Sequence, residues 1–148
     1  MSVKFSAVMI ANEKSEILIV RRGSTAPWMP RKWSLPGGTI EDGESPIDAA
    51  LREVYEEVDI EIEPGALQKM TVSGPVEYYF CPHGGWRGTP RLKLTDGILE
   101  NDAMSWESLD NVSNFDLLPG LLGVLRSRAE LLETRLRQVI RGELKSLL

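Results

Sequence analysis

Three glutamates in one predicted helix constrain this chain more than any other feature of its sequence. Glu53, Glu56 and Glu57 are spaced i, i+3 and i+4, which places their carboxylates on one face of a helix. Like charges at this spacing repel, and none of the three has Lys or Arg at i+4. A divalent cation such as Mg²⁺ would relieve the repulsion, because hard cations prefer carboxylate oxygens and often hold substrate phosphates. The spacing predicts a metal site for phosphate chemistry; the alternative is a solvated acidic helix face.

The residues before these glutamates carry the signals of a helix start. Ser45 is a natural N-cap, Pro46 suits the first helical position, and Asp48 stands three residues after the cap. A second face of the same helix is apolar, with a stripe formed by Ile47, Leu51, Val54 and Val58. One side of this helix can therefore pack on a sheet while another presents carboxylates.

Strand patterns surround the helix and predict a mixed sheet. The first two candidates, 3–11 and 17–20, read as a hairpin around a polar turn. Further candidates are 33–36 (ended by Gly37-Gly38), 60–63, 69–72, 76–81, 91–94 and 103–106, with a loop at 82–90 and a helix at 120–148. The expected class is α+β, as an α/β/α sandwich with a mixed central β-sheet.

Composition excludes several classes of protein. The length of 148 residues predicts one domain, 1–148, with a C-terminal helical extension from about residue 130 that could form a homodimer. A net charge of -5 argues against a nucleic-acid partner. Cys81 is the single cysteine, no run reaches membrane-spanning length, and the N-terminus lacks a signal-peptide pattern. We therefore expect a cytoplasmic protein with no membrane partner.

The order of residues from 38 to 60 resembles a known motif. Gly38, Glu44, the Arg52-Glu53-Val54 run, Glu56-Glu57 and Ile60 match the Nudix box, G-x5-E-x7-R-E-U-x-E-E-x-G-U, where U is bulky and apolar. The one departure is Asp59, which stands where the box has its last glycine. Asp tolerates the left-handed conformation expected there better than most residues, so the fold should survive.

The resemblance implies the Nudix fold and a hydrolase that cleaves a pyrophosphate bond in a nucleoside diphosphate-linked compound, using Mg²⁺ or Mn²⁺ and water. In that family Glu53, Glu56 and Glu57 correspond to metal ligands, and Glu53 or a residue outside the box is the base. Arg52 corresponds to the arginine that orients Glu53, and Glu44 to its partner. These three residues, Glu44, Arg52 and Glu53, are the expected catalytic set.

Two backbone carbonyls and one acidic loop complete the expected metal site. The carbonyl of Gly37 or Gly38 corresponds to a further metal ligand in the family, and glycine lets backbone approach an ion closely. Glu100 is a candidate ligand or base outside the box, with Asp102 as its rival. A solvated acidic loop is the alternative for both.

Substrate contacts are harder to assign from the sequence. Arg21 and Arg22 could touch phosphates or base, and Trp28 and Trp33 could stack on a nucleobase; a solvated strand end and core packing are the alternatives. Candidate substrates are nucleoside triphosphates, ADP-ribose, nucleotide sugars and dinucleoside polyphosphates. Two other functions stay open: a nucleotide-binding module without catalysis, and a pyrophosphohydrolase acting on RNA 5′ ends.

Overall fold

The structure, a computed structural model, describes residues 2–94 and 97–142 of the chain. Nine strands, three α-helices and two single-turn 3₁₀ helices occur within these residues. The strands are β1 (Phe5–Ile10), β2 (Ile17–Arg22), β3 (Trp33–Ser34), β4 (Gly37–Thr39), β5 (Glu61–Ile62), β6 (Gln68–Ser73), β7 (Val76–Cys81), β8 (Trp86–Arg87) and β9 (Asn101–Glu107). The helices are α1 (Pro46–Val58), α2 (Leu109–Val112) and α3 (Leu121–Ile140).

The strands divide among three sheets. The largest has the order β4-β1-β7-β6 and is mixed, because β1 and β7 are parallel while the other neighbours are antiparallel. A second sheet has the antiparallel order β3-β2-β9, and β5 pairs with β8. The α+β class and the mixed sheet are therefore confirmed.

Alternating residues of β1 and β2 face two separate cores. Val8 and Val20 join one cluster with the apolar face of α1, whereas Met9 and Ile19 join another with α2 and α3. Successive strand residues point to opposite faces, so two buried faces produce continuous apolar strands rather than alternating ones. Helices thus cover both faces of the sheets, as in the predicted α/β/α arrangement.

Helix α1 begins as its sequence predicts. The Ser45 hydroxyl accepts a hydrogen bond from the Asp48 N–H at 3.1 Å, and Pro46 is the first helical residue. Val54 and Val58 of the apolar stripe are fully buried, whereas Ile47, in the first turn, keeps 39% exposure. The helix is therefore anchored through its middle and C-terminal turns.

Asp59 ends α1 in the left-handed conformation, with φ 61° and ψ 33°, as predicted. Its carboxylate accepts hydrogen bonds from Arg91 Nε at 2.8 Å and Lys93 Nζ at 3.2 Å. The backbone N–H groups of Arg91 and Lys93 donate to the carbonyls of Val58 and Glu57. Asp59 therefore does what glycine cannot: its side chain ties the 91–93 segment to the end of the helix.

We expect Asp59→Ala to destabilise the protein more than Asp59→Gly. Both variants lose the bonds to the 91–93 segment, but alanine also keeps the strained left-handed backbone, which costs about 1 kcal/mol. That difference corresponds to a melting temperature about 2–4 °C lower for a domain of this size. Equal melting temperatures for the two variants, measured by calorimetry, would show that backbone strain at residue 59 is negligible.

Four expectations about the strands are wrong. The segments 3–11 and 17–20 do not form a hairpin, because their strands belong to different sheets. A single isolated bridge, between Ala11 and Ile17, joins them. Gly37-Gly38 does not end a strand but forms one, paired with β1. The 82–90 segment contains β8 as well as loop, since Trp86 pairs with Ile62. Residues 91–94 form no strand, because their N–H groups bond to the end of α1.

The C-terminal helix is shorter in the described residues than the sequence predicts. Helix α3 covers Leu121–Ile140, and the expected continuation to residue 148 lies outside the described residues. None of the helices in the described part of the chain is long and apolar enough to cross a membrane. A homodimer formed through the extension stays a prediction: light scattering should give twice the chain mass, and a monomer mass at micromolar concentration would contradict it.

Candidate active site

A cleft of about 980 Å³ lies on the face of the four-stranded sheet away from the α1 core. Two rows of paired residues cross its floor: Gly37, Ala7 and Tyr78 in one, Thr39, Phe5 and Val76 in the next. The glutamates of α1 stand at the β4 end of these rows, where Glu57 bonds to Gly37, and Val76 and Tyr78 of β7 stand at the other end. The cleft therefore has an acidic end and an apolar end.

Arg52 organises the acidic end. It donates two hydrogen bonds to Glu44, from Nε at 2.8 Å and from Nη2 at 3.0 Å. Its Nη1 donates to Glu53 at 3.0 Å and to Glu56 at 3.2 Å, and Nη2 also donates to the Thr39 carbonyl at 2.9 Å. The hydrogen bonds from Arg52 lower the pKa of Glu44 to about 2. One guanidinium thus fixes the loop carboxylate and two carboxylates of the helix.

Glu57 and Glu53 are carboxylates in an unfavourable environment. Glu57 is only 9% exposed, and burial, followed by the charge of Glu53, raises its pKa well above the ordinary value. Burial also raises the pKa of Glu53, against the opposing charge of Arg52. Glu57 accepts a hydrogen bond from the Gly37 N–H at 3.1 Å. Both carboxyl groups therefore lie where burial disfavours their charged form, which is common at functional sites.

The two glycines of β4 leave space for different neighbours. A Cβ on Gly37 would lie 2.1 Å from the Ser6 carbonyl oxygen and 2.7 Å from the Ala7 Cα. A Cβ on Gly38 would lie 2.4 Å from the carboxyl carbon of Glu53. Gly37 therefore permits the pairing of β4 with β1, and Gly38 permits the position of the Glu53 carboxylate.

The structure separates Glu100 from its rival Asp102. Glu100 lines the cleft, and its charge raises the pKa of both Glu53 and Glu57. Asp102 instead accepts a hydrogen bond from Arg21 Nε at 2.6 Å. Only Glu100 of this pair is placed to act with the helix carboxylates.

Two of the four predicted substrate contacts lie at the cleft and two do not. Arg22 and Trp28 line the cleft: Arg22 Nε donates to the Trp28 carbonyl at 2.8 Å, and its guanidinium lies 5.5 Å from the Trp28 ring centre. Arg21 and Trp33 are absent from the described lining. Trp33 packs edge-on against Phe115 at 5.1 Å, which is the core packing considered as its alternative.

Sequence reasoning missed the apolar end of the cleft. Val76 and Tyr78 line it, and neither was singled out as a substrate contact. In β7 the residues alternate between buried and half-buried, and Tyr78 belongs to the half-buried set. The sequence does not reveal this alternation, because the buried set includes Glu77 while Val76 and Phe80 are half-buried, and the face that meets a cleft depends on the strand partners.

The residues at the acidic end fit a divalent cation by their chemistry. Carboxylates that raise one another's pKa are relieved by a cation, and the Gly38 position has no side chain between backbone and the Glu53 carboxylate. Among the described residues, no three His, Cys, Asp or Glu side chains already form a ligand set for one ion. An incoming ion would therefore compete with Arg52 for the oxygens of Glu53 and Glu56.

Known proteins share both the sequence and the fold of this chain. The family model described as NUDIX domain matches residues 2–125. An 8-oxo-dGTP diphosphatase from Escherichia coli K12 is 35% identical over 115 residues, which cover 75% of this chain and 84% of that protein. An m7GpppN-mRNA hydrolase from Bos taurus is 29% identical over 92 residues, and the match covers 62% of this chain and only 27% of that protein.

A solved structure supports the same relationship. The MutT protein from Methanosarcina mazei Go1 superimposes with a TM-score of 0.68 and 27% identity. The match covers 87% of this chain and 94% of that chain.

Proposed function

Because the chain belongs to the Nudix family and its relatives are pyrophosphohydrolases, we propose that it hydrolyses nucleoside triphosphates to nucleoside monophosphate and pyrophosphate. The observation that carries the proposal is the division of one cleft into a carboxylate end and an apolar, aromatic end. A nucleotide has the matching division between its phosphates and its base. The diphosphatase relative, matched over most of its length, supports the triphosphate among the candidate substrates.

We propose that Glu53, Glu56, Glu57 and Glu100, with the carbonyl of Gly37 or Gly38, hold Mg²⁺ or Mn²⁺. These oxygens are the ligands that hard cations prefer. When bound, such an ion neutralises phosphate charge and lowers the pKa of a coordinated water. The family generally uses divalent metals of this kind.

The chain's own groups then have separate roles. Glu53 accepts the proton of the attacking water, a role favoured by its raised pKa, because a base works best when its pKa approaches the working pH. Arg52 holds the carboxyl groups of Glu53 and Glu56 in place, and Glu44 holds Arg52. Arg22, beside the acidic end, would contact phosphate oxygens, and Trp28 would cover the substrate from the rim.

A substrate panel tests the proposal. Purified protein is incubated with nucleoside triphosphates, ADP-ribose, nucleotide sugars, dinucleoside polyphosphates and capped or triphosphorylated RNA, with Mg²⁺ or Mn²⁺, and products are identified by mass. We expect monophosphate and pyrophosphate from the triphosphates. Tight nucleotide binding without any product would identify a binding module instead. Cleavage of RNA ends alone would identify the RNA pyrophosphohydrolase.

Metal binding should stabilise the protein more at high pH than at low pH. The folded-state pKa of Glu57 lies above its unfolded value, so the folded metal-free protein takes up a proton first as the pH falls, and its stability rises. The cation needs the carboxylates of Glu53 and Glu57 to be ionised. At 100 times the dissociation constant, Mg²⁺ adds about 2.7 kcal/mol, or about 5–10 °C in melting temperature.

The measurement is thermal unfolding with and without Mg²⁺ at about pH 8 and about pH 5. We expect a large shift at the higher pH and a small one at the lower pH. Glu57→Gln is the matched control, because it should raise the stability of the metal-free protein at high pH and reduce the Mg²⁺ shift. Equal shifts at both pH values would contradict the assignment of the buried carboxylates as ligands.

A further inference from the structure

The carboxylates proposed as metal ligands come from two parts of the chain. Glu53, Glu56 and Glu57 belong to α1, whereas Glu100 lines the same cleft from the residue before β9. The charge of Glu100 raises the pKa of Glu57, so the two carboxylates lie close enough to interact. A cation that both parts hold needs Glu100 to keep a fixed position relative to α1.

On its C-terminal side, Glu100 is fixed to β2. The Gly23 N–H donates to the Glu100 carbonyl at 2.8 Å, and Asn101, the first residue of β9, pairs with Arg22. A Cβ at residue 23 would lie 3.2 Å from the same carbonyl oxygen, so the two backbones are in close contact. These contacts relate Glu100 to the three-stranded sheet and leave its position relative to α1 to the chain on its other side.

On its N-terminal side, Glu100 follows a stretch that is not anchored by burial. Six residues separate Lys93 from Glu100. The described members of this stretch are all exposed, and they are Leu94, Gly97, Ile98 and Leu99. Their three apolar side chains keep from 41% to 66% of their surface. Removal of apolar surface from water, the main force that holds chain segments in place, therefore does not fix these residues.

The segment that contains Arg91 and Lys93 comes directly before this stretch and is bonded to the end of α1. The Lys93 N–H donates to the Glu57 carbonyl at 3.1 Å, so the segment contacts the backbone of a proposed ligand. The Asp59 carboxylate accepts hydrogen bonds from the side chains of both Arg91 and Lys93. The Lys93 ammonium also lies 3.8 Å from the centre of the Tyr55 ring. Asp59 thus joins the chain that leads to Glu100 to the helix that carries the other ligands.

The pair of Asp59 with Lys93 is the better shielded of the two ion pairs. The side chains of Asp59 and Lys93 keep 25% and 23% of their surface, whereas that of Arg91 keeps 72%. Fully exposed pairs typically contribute little, because water and salt screen them. A glycine at residue 59 would keep the backbone bonds of the segment and remove both side-chain bonds.

We propose that Asp59 is a positioning residue: by fixing the segment of Arg91 and Lys93 to α1, it sets where the chain delivers Glu100 to the metal site. The inference rests on the proposed metal site and adds a residue to it. It gives the departure from the Nudix box a role in ion binding that the glycine of the box has no side chain to perform.

The test is Mn²⁺ binding to the substrate-free protein, measured by calorimetry. Asp59→Gly suits it, because glycine adopts the left-handed conformation without steric cost and α1 can end as before. Partners that orient metal ligands change metal affinity by about 10–100-fold when they are lost, and Asp59 acts on one ligand of several, so the dissociation constant should rise by about 3–10-fold. An unchanged dissociation constant would overturn the proposal.

A second variant separates position from charge. Asp59→Gly removes a negative charge, which by itself would weaken cation binding, but Lys93→Met removes a positive charge, which by itself would strengthen it. The proposal predicts weaker Mn²⁺ binding in Lys93→Met, and tighter binding there would overturn it. Lys32→Met is the matched control, because Lys32 pairs with Asp116 outside the described cleft lining, and it should not weaken binding.

A double-variant cycle with Glu100→Gln tests whether Asp59 acts through Glu100. If it does, Asp59→Gly changes the Mn²⁺ dissociation constant of the wild type and leaves that of Glu100→Gln unchanged. Equal changes in both backgrounds would overturn the proposal, because Asp59 would then act on ion binding without Glu100.

The same measurements separate this inference from the proposed function. If Glu100→Gln binds Mn²⁺ as tightly as the wild type, Glu100 is not a ligand, and its assignment and this inference fail together. If Glu100→Gln weakens binding and Asp59→Gly does not, the inference alone fails. The substrate panel decides the proposed hydrolysis independently, since none of these binding measurements requires turnover.

Discussion

Glu53→Gln should lower kcat by roughly 10²–10⁴-fold, the range expected when a general base is lost. Glutamine has nearly the same shape and can still accept the hydrogen bond from Arg52 Nη1. It removes a charge that burial disfavours, so the metal-free variant should be as stable as the wild type or slightly more stable. The activity loss therefore belongs to chemistry and not to unfolding.

Steady-state kinetics and thermal unfolding of the same preparation are needed together. Glu61→Gln is the matched control: this exposed glutamate pairs with Arg87 and lies outside the described cleft lining, so its loss should leave turnover unchanged. If the folded Glu53→Gln protein turns over substrate near the wild-type rate, Glu53 is not the base. Glu100, whose charge also raises the pKa of Glu57, would then be the next residue to replace.

Gly37→Ala and Gly38→Ala should fail in different ways, although the two residues are neighbours. The new methyl at residue 37 meets backbone of β1 on either side of the Ser6–Ala7 peptide, and neither atom can move away without unpairing the strands. Overpacking of this kind costs about 3 kcal/mol, or roughly 6–12 °C in melting temperature. The methyl at residue 38 meets only the flexible end of Glu53.

We therefore expect Gly38→Ala to melt within about 3 °C of the wild type, because displacing the end of one flexible side chain costs as little stability as a typical surface substitution. The variant should nevertheless lose most of its turnover, because Glu53 is displaced. Circular dichroism melts and initial rates of both variants test this contrast. Wild-type turnover in Gly38→Ala would show that Glu53 needs no clearance there. A Gly37→Ala protein as stable as the wild type would show that β4 can shift away from β1.

Local features of the chain were predictable because they depend on near neighbours. The Ser45 cap, the left-handed Asp59 and the pairing of Arg52 with Glu44 each involve residues within one loop–helix unit. The cap follows from capping chemistry alone, whereas the left-handed turn at residue 59 and the pairing of Arg52 with Glu44 were implied by the resemblance to the Nudix box. The acidic end of the cleft was accordingly predicted from sequence.

The rest depended on strand partners far apart in the chain. The register of β2 on β9 shifts between Arg21 and Arg22, where Asp102 of β9 has no partner in β2. Arg21 bonds to this Asp102, whereas Arg22 lines the cleft. A one-residue change of register reverses the facing of every side chain after it. No local pattern distinguishes the two arginines, and none reveals that Tyr78 faces the base end.

The burial of Glu57 has a consequence for laboratory evolution. A carboxylate in this position weakens the fold unless something positive compensates for it, so activity and heat resistance make opposite demands on the same residue. Selecting thermostable variants in a chelating buffer would enrich neutral replacements at residue 57, and those variants would lose catalytic activity. Running the same selection with a divalent ion present would keep the two properties together.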